Sequence, residues 1–293
     1  MARRHPILRG LAVLAAVAAG LIVVAALAAR LGARGWISGP RVGVAELQGV
    51  LRDGDTLEET LEDFRKEPST VAVVLRVDSP GGAVAPAQEL YEEVWRVRRE
   101  KPVVASFGNV AASAAYYVAS AADAIVADPG TLTGSIGAIM ELVDASALAD
   151  KVGLKDAVVK SGPFKDVGQP LRPMTDEDRR LLQSMVDDVL GQFVAAVARG
   201  RAMPPERVRA LADGRPYSGA QAQAVGLVDQ LGSLDVAERL AWERAGRTGE
   251  PRVTRVRARR WPWWLAYLTE SAAPAPRGLP GGLLLLYPGA LPR

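Results

Sequence analysis

Apolar residues fall along this chain in three patterns. The first is an unbroken block: Gly10 to Ala29 holds twenty uncharged residues, nearly all Ala, Val, Leu and Ile. As a helix it would be about 30 Å long, enough to cross a bilayer core. It exceeds the roughly 7–15-residue core of a cleavable secretory leader, so it predicts a retained transmembrane helix. Ala26-Leu27-Ala28 resembles a cleavage site and keeps the leader as the alternative. Arg3, Arg4 and Arg9 before the block face Arg30, Arg34 and Arg41 after it. The amino group adds one charge to the first flank, which favours an amino terminus inside and the bulk of the chain outside.

The second pattern is alternation of short β-branched runs with helical stretches. Val42 to Leu47 reads as a strand, Thr56 to Lys66 as a helix, and Val71 to Val77 as a strand buried on both faces, because no polar position interrupts it until Arg76. A helix over Ala85 to Arg99 follows, then strand Val103 to Phe107, a small-residue helix Ala112 to Ala121 and strand Ala124 to Ala127. A helix around Asp144 to Lys151 precedes a further strand at Ala157 to Lys160. Such alternation predicts a mostly parallel α/β core. Thr175 with Asp178 three residues on is an Asp variant of a capping box, opening a helix to about Arg199. Another helix follows Pro204 and Pro205, and a short one from Tyr217 stops at Gly226, with a strand near Val228.

The third pattern begins near Pro251. Five arginines lie between Arg252 and Arg260, then Trp261, Trp263 and Trp264, then a Pro/Gly-rich stretch holding Leu283 to Leu286. Arg beside Trp suits a membrane interface; an edge strand followed by a tail is the alternative. The predicted organisation is an anchor region at 1–35, a folded domain at 41–247 and a tail at 248–293.

Composition removes several kinds of chemistry. The chain has 293 residues, a formal net charge of +3, no cysteine and one histidine, His5, just ahead of the apolar block. The charge is too small for a general nucleic-acid binder. Thiol nucleophiles, disulfides and CxxC sites cannot exist, and imidazole catalysis is nearly excluded. A hydrolytic serine here needs another base, and lysine kept neutral by burial is the plausible one because arginine does not deprotonate. Lysine occurs only at Lys66, Lys101, Lys151, Lys155, Lys160 and Lys165. The first four read as solvated helix ends or turns, which leaves Lys160 and Lys165. Ser113, among small residues after a strand and at the start of a helix, is the candidate nucleophile; a helix-capping serine is the other reading. Gly81-Gly82 is either a plain turn or backbone amides presented to a ligand.

Taken in order, Asp78-Ser79-Pro80-Gly81-Gly82, Gly108-Asn109 to Ser113 and Tyr116-Tyr117, Thr133-Gly134-Ser135-Ile136-Gly137, Lys160-Ser161-Gly162-Pro163-Phe164-Lys165-Asp166, Arg172-Pro173-Met174-Thr175, and Tyr217-Ser218-Gly219 with Gly226-Leu227-Val228-Asp229 resemble the short bacterial form of the signal peptide peptidase A family. The resemblance runs from about Val42 to Gly246. It implies a ClpP/crotonase-like fold and a Ser/Lys serine peptidase that needs no metal or organic cofactor. By position it implies Ser113 as nucleophile, Lys165 as general base, Ser135 as the hydroxyl orienting that base, and the N–H groups of Gly82 and Ala114 as the oxyanion hole. The family's Ser-Gly-Gly is Ser113-Ala114-Ala115 here, so a requirement for positive φ at either alanine would be strained. Also implied are a homo-oligomeric ring whose sites combine residues of neighbouring protomers, cleaved signal peptides or other apolar peptides as substrates, and contact with membrane lipid through the anchor. The catalytic domain is then expected outside the cytoplasmic membrane. Two rivals remain open: a crotonase-like acyl-CoA enzyme, and a non-catalytic membrane scaffold with a closed oxyanion hole.

Overall fold

The computed structural model describes residues 17, 19–21, 23–24, 39–255 and 284–286. Those of the first group are helical, and the rest of the anchor expected at Gly10 to Ala29 lies outside the described residues, as does the Trp261 to Trp264 stretch.

From Arg41 onward the chain is a mixed α/β unit with helices on both faces of one large sheet. The strands are β1 (Arg41–Gln48), β2 (Thr70–Ser79), β3 (Gly81–Ala83), β4 (Val103–Ala112), β5 (Ala124–Ala127), β6 (Leu132–Gly134), β7 (Pro216–Ser218), β8 (Gln230–Leu231), β9 (Val253–Arg255) and β10 (Leu284–Leu286). The helices are α1 (Asp55–Lys66), α2 (Val84–Arg98), α3 (Ala114–Ala119), α4 (Ser146–Lys151), α5 (Asp176–Arg201), α6 (Pro205–Leu211), α7 (Gly219–Val225) and α8 (Leu234–Arg244). The main sheet runs β7-β6-β4-β2-β1-β9, with β5 pairing β4 and β8 pairing β5. Every pairing in it is parallel except β6 with β7.

The uninterrupted apolar run of β2 has a direct cause. Side chains alternate across a strand, so Ala72 and Val74 pack with Val42, Val44, Trp242 and Ala241 of α8 on one face. Val73, Leu75 and Val77 pack under α1 and α2 on the other, with Leu61, Leu90 and Val94. The helix α5 opens with the predicted capping box: Thr175 accepts the Asp178 N–H while Asp178 accepts the Thr175 N–H. By length and composition α5 passes for a membrane-crossing helix, and its second half packs on the core through Phe193, Val194 and Val197.

Two expectations need correction. Ala157 to Lys160 forms no strand and is exposed; its apolar residues have no sheet neighbour to bury them. The stretch from Tyr217 is a strand first: β7 pairs with β6, and only then does Ser218 cap α7 through a box with Gln221, the helix ending at left-handed Gly226. Of the basic stretch after Pro251, Val253–Arg255 is an edge strand on β1.

The contact of α5 with α3 is set by Gly200, where a Cβ would lie 2.0 Å from the Ser120 carbonyl oxygen. Gly191 in the same helix has only the tip of Arg209, 3.9 Å away. Gly200→Ala should therefore destabilise the protein by roughly 1–3 kcal/mol through forced separation. Gly191→Ala should instead stabilise it by roughly 0.5–1 kcal/mol through chain entropy. Urea unfolding of both variants reads the opposite signs.

Candidate active site

Three neighbouring parallel strands end on the same side of the sheet, where open α/β sheets commonly place their ligand sites. Ser79 near the end of β2 is in register with Ala111 of β4, and Ala112 with Gly134 of β6. The residues that follow are Gly81-Gly82, Ser113 and Ser135, so the structure brings these candidate residues to one edge. Strand spacing of about 4.8 Å sets how near they stand.

Ser113 has φ 56° and ψ −122°, which L-residues rarely adopt. Such a conformation costs on the order of 1–3 kcal/mol and persists only where neighbours impose it. Here both of its backbone groups are pinned: its N–H donates to the Gly134 carbonyl at 2.8 Å, and its carbonyl accepts from the Tyr117 N–H at 2.9 Å. The side chain makes no capping bond to α3, and among the described residues its hydroxyl has no hydrogen-bond partner. The helix-capping reading is thereby set aside. Ser113 is 1% exposed.

Ser135 is the second non-glycine residue with positive φ, at 50°. Its N–H donates to the Arg215 carbonyl at 3.0 Å and its hydroxyl to the Gly214 carbonyl at 3.2 Å. Gly134 before it has φ 73°, and a Cβ there would strike the Tyr217 ring at 2.6 Å. The third such residue, Ala202, is the left-handed cap of α5. Neither Ala114 nor Ala115 has positive φ. Both continue as helix, so the strain suspected at them falls on the serine instead, and with it goes the motive for a closed oxyanion hole.

Gly82 is held by Leu51: the Leu51 N–H donates to the Gly81 carbonyl at 2.9 Å and the Ala83 N–H to the Leu51 carbonyl at 2.8 Å. A Cβ on Gly82 would sit 1.9 Å from that Leu51 oxygen, so only glycine fits. Ala114 is the first residue of α3, where an N–H has no acceptor within the helix. Tyr116 and Tyr117 are core residues: the Tyr116 hydroxyl donates to the Leu227 carbonyl at 2.8 Å, and Tyr117 packs on Tyr91 and Phe193. Burial pushes the Tyr117 hydroxyl up to about 12.

The two candidate lysines stand on the exposed stretch between α4 and α5. The Lys160 ammonium is committed, donating to the Pro163 carbonyl at 3.0 Å and to Asp166 at 2.8 Å and 2.9 Å. Lys165 closes a turn with its N–H on the Gly162 carbonyl at 3.2 Å. Its side chain is exposed and makes no hydrogen bond among the described residues; the single chain does not join it to Ser113. Lys101, read above as solvated, instead donates to the Phe64 and Glu67 carbonyls at 2.6 Å and 2.8 Å, and burial lowers its pKa. It precedes β4 at the end opposite Ser113, roughly 33 Å along the strand.

Sequence reasoning assigned no role to Arg172. Its guanidinium donates to Asp166, beside Lys165, at 3.0 Å and to Asp178 of the capping box at 2.5 Å, so it ties the lysine-bearing turn to α5. Only the recurrence of Asp six residues to either side hinted at this.

The sequence profile of peptidase family S49 matches residues 96–246. A Synechocystis protein named as a protease, slr0021, is 39% identical over 208 residues, 70% of this chain and 75% of its own length. The chain belongs to peptidase family S49. Within this family an Enterococcus faecium protein named as a signal peptide peptidase, SppA, is 38% identical over 63% of this chain and 54% of its own length. Protease 4 of Salmonella typhi is 35% identical over 66% of this chain and 31% of its own length. The chain thus spans about half or less of the latter two relatives. As a member of S49 it is a protease by family.

The Arg172 clamp carries a pH dependence. Its hydrogen bonds hold the carboxyls of Asp166 and Asp178 below the ordinary Asp value of 3.8. A depressed folded pKa means the stabilisation is present above that ordinary value and is lost as pH falls through the folded values. Hydrogen-exchange protection across 160–180, taken relative to the intrinsic rate at each pH, should fall as the pH drops well below 3.8, and Arg172→Ala should show the reduced protection already at neutral pH. Equal exchange in wild type and variant at neutral pH would remove the clamp.

Proposed function

We propose that this S49 member is a membrane-anchored serine endopeptidase of ClpP/crotonase-like fold acting on apolar peptides such as cleaved signal peptides. Ser113 Oγ attacks the peptide carbonyl carbon while the neutral Lys165 amine takes the hydroxyl proton. The Gly82 and Ala114 N–H groups bind the oxyanion, and Ser135 orients the lysine. The C–N bond breaks as Lys165 returns the proton to the leaving amine. Water, deprotonated by the same amine, then releases the acyl group from Ser113. No metal or organic cofactor takes part.

The observation that carries the reading is the strained, pinned Ser113 with an uncommitted hydroxyl, set between Gly82 and Ser135 at the strand ends. Lys165 is favoured over Lys160 because the latter is engaged by Asp166. The base reaches the nucleophile of a neighbouring copy in a homo-oligomeric ring. Supporting this, the stretch around Lys165 exposes Val143, Leu148, Val152, Val159 and Phe164, an apolar surface that a second copy would cover. The Gly10 to Ala29 block anchors the chain in the cytoplasmic membrane, with the domain on the outer side. The acyl-CoA alternative has no specific observation in its favour.

Detergent-solubilised chain with a fluorogenic apolar peptide tests this. Ser113→Ala should abolish turnover and labelling by a fluorophosphonate, and Lys165→Ala should lower kcat about 10²–10⁴-fold. Wild-type turnover should rise toward alkaline pH, since the base acts uncharged. Mixing the two inactive variants should restore turnover, because one copy keeps each group. Undiminished turnover in Lys165→Ala would remove that lysine from the mechanism, and inactive mixtures would remove the shared site.

A further inference from the structure

Leu284–Leu286 has no part in the chemistry above, yet it forms β10, the antiparallel partner of β3. Leu284 is opposite Ala83, Leu285 opposite Gly82 and Leu286 opposite Gly81. The orientation of β3 follows from its other edge. Leu51 takes the Gly81 carbonyl and the Ala83 N–H, and successive residues of a strand present their backbone groups to opposite sides. The Gly82 N–H and carbonyl therefore face Leu285. In an antiparallel pair, residues facing each other this way exchange both backbone bonds. β10 also comes within 8 Å of α3, Cα to Cα, and α3 begins directly after Ser113.

We propose that residues 284–286 are a built-in competitive inhibitor, a pseudo-substrate strand that adds to the edge of β3. Resting on the Ser113/Gly82 reading, it holds the Leu285 carbonyl against the N–H that would otherwise receive the scissile carbonyl of a substrate. Main-chain pairing supplies the recognition, the same device by which extended peptides add to exposed sheet edges. Three residues bind weakly as a free peptide. Tethering alters that: residues 256–283 separate β10 from β9 in sequence, and covalent attachment over such a separation gives a local concentration of up to about millimolar. The bond is non-covalent, so a substrate at sufficient concentration displaces it.

The test uses the full chain, a Leu285→Pro variant that lacks the N–H facing Gly82, and a chain without residues 276–293. Both variants should lower the apparent KM for a fluorogenic peptide at least ~3-fold with kcat unchanged, as expected when a tethered competitor is lost. Amide exchange at Gly82, whose N–H faces Leu285, should quicken in both, while that of Ala83, bonded to the Leu51 carbonyl, should not. A synthetic peptide of residues 280–290, added to the truncated chain, should raise KM again. Unchanged KM overturns the proposal, whether exchange quickens, which means docking without inhibition, or stays the same. Absence of turnover and of Ser113 labelling in every chain overturns the peptidase reading and the inhibition with it, an outcome distinct from an active enzyme indifferent to Leu285.

Discussion

The bond from the Ser113 N–H to the Gly134 carbonyl is the constraint from which the site's geometry follows. It extends the β4–β6 ladder one residue beyond its regular end and forces the chain into a conformation that L-residues avoid. The turn into α3 starts there, which sends the Ser113 hydroxyl away from a capping role and the first N–H groups of α3 toward the same edge. Because Gly134 belongs to β6, the same bond fixes Ser113 relative to Ser135. The antiparallel β6–β7 pair then fixes Ser135 through the Arg215 and Gly214 carbonyls. Distortion at one serine is thus sustained by three strands.

The lysine-bearing stretch is built on a different principle. It has almost no buried apolar residues of its own, Ala149 being the exception, and it is held by charge: Lys160 to Asp166, Asp166 to Arg172, and Arg172 to Asp178 at the start of α5. Each pair joins a partly exposed cation to a largely buried aspartate, so the series fixes the placement of the stretch. The proposed nucleophile thus stands on a rigid sheet edge and the proposed base on an electrostatically held turn.

Much of the core was legible because β2, β4 and β5 are buried on both faces and so carry unbroken apolar runs; β5 has the bounds its run implies. The three-residue strands β3, β6 and β7 carry no periodicity of their own and form because a neighbour offers a ladder. The Ala157 to Lys160 run deceived for a related reason: β-branched residues form a strand only where a neighbour offers a ladder and a cover, and among the described residues none does so here. At the site, small residues around Ser113 and the paired glycines were visible. The positive φ at Ser113 and Ser135 was not, since neither is the glycine that advertises such geometry. Lys101 looked solvated because nothing local reveals carbonyls brought near by α1.

The close fit of Gly82 against Leu51 leaves β3 a rim offering a guest one donor and one acceptor from that glycine. Under the proposed peptidase reading, a rim so short would read shape before chemistry: a ribbon of polypeptide already stretched out would satisfy it, and a compact globule, whose own amides are spoken for, would not. Selection would then fall on whether a polypeptide is slack, and well-folded neighbours would be spared without any need to inspect their side chains.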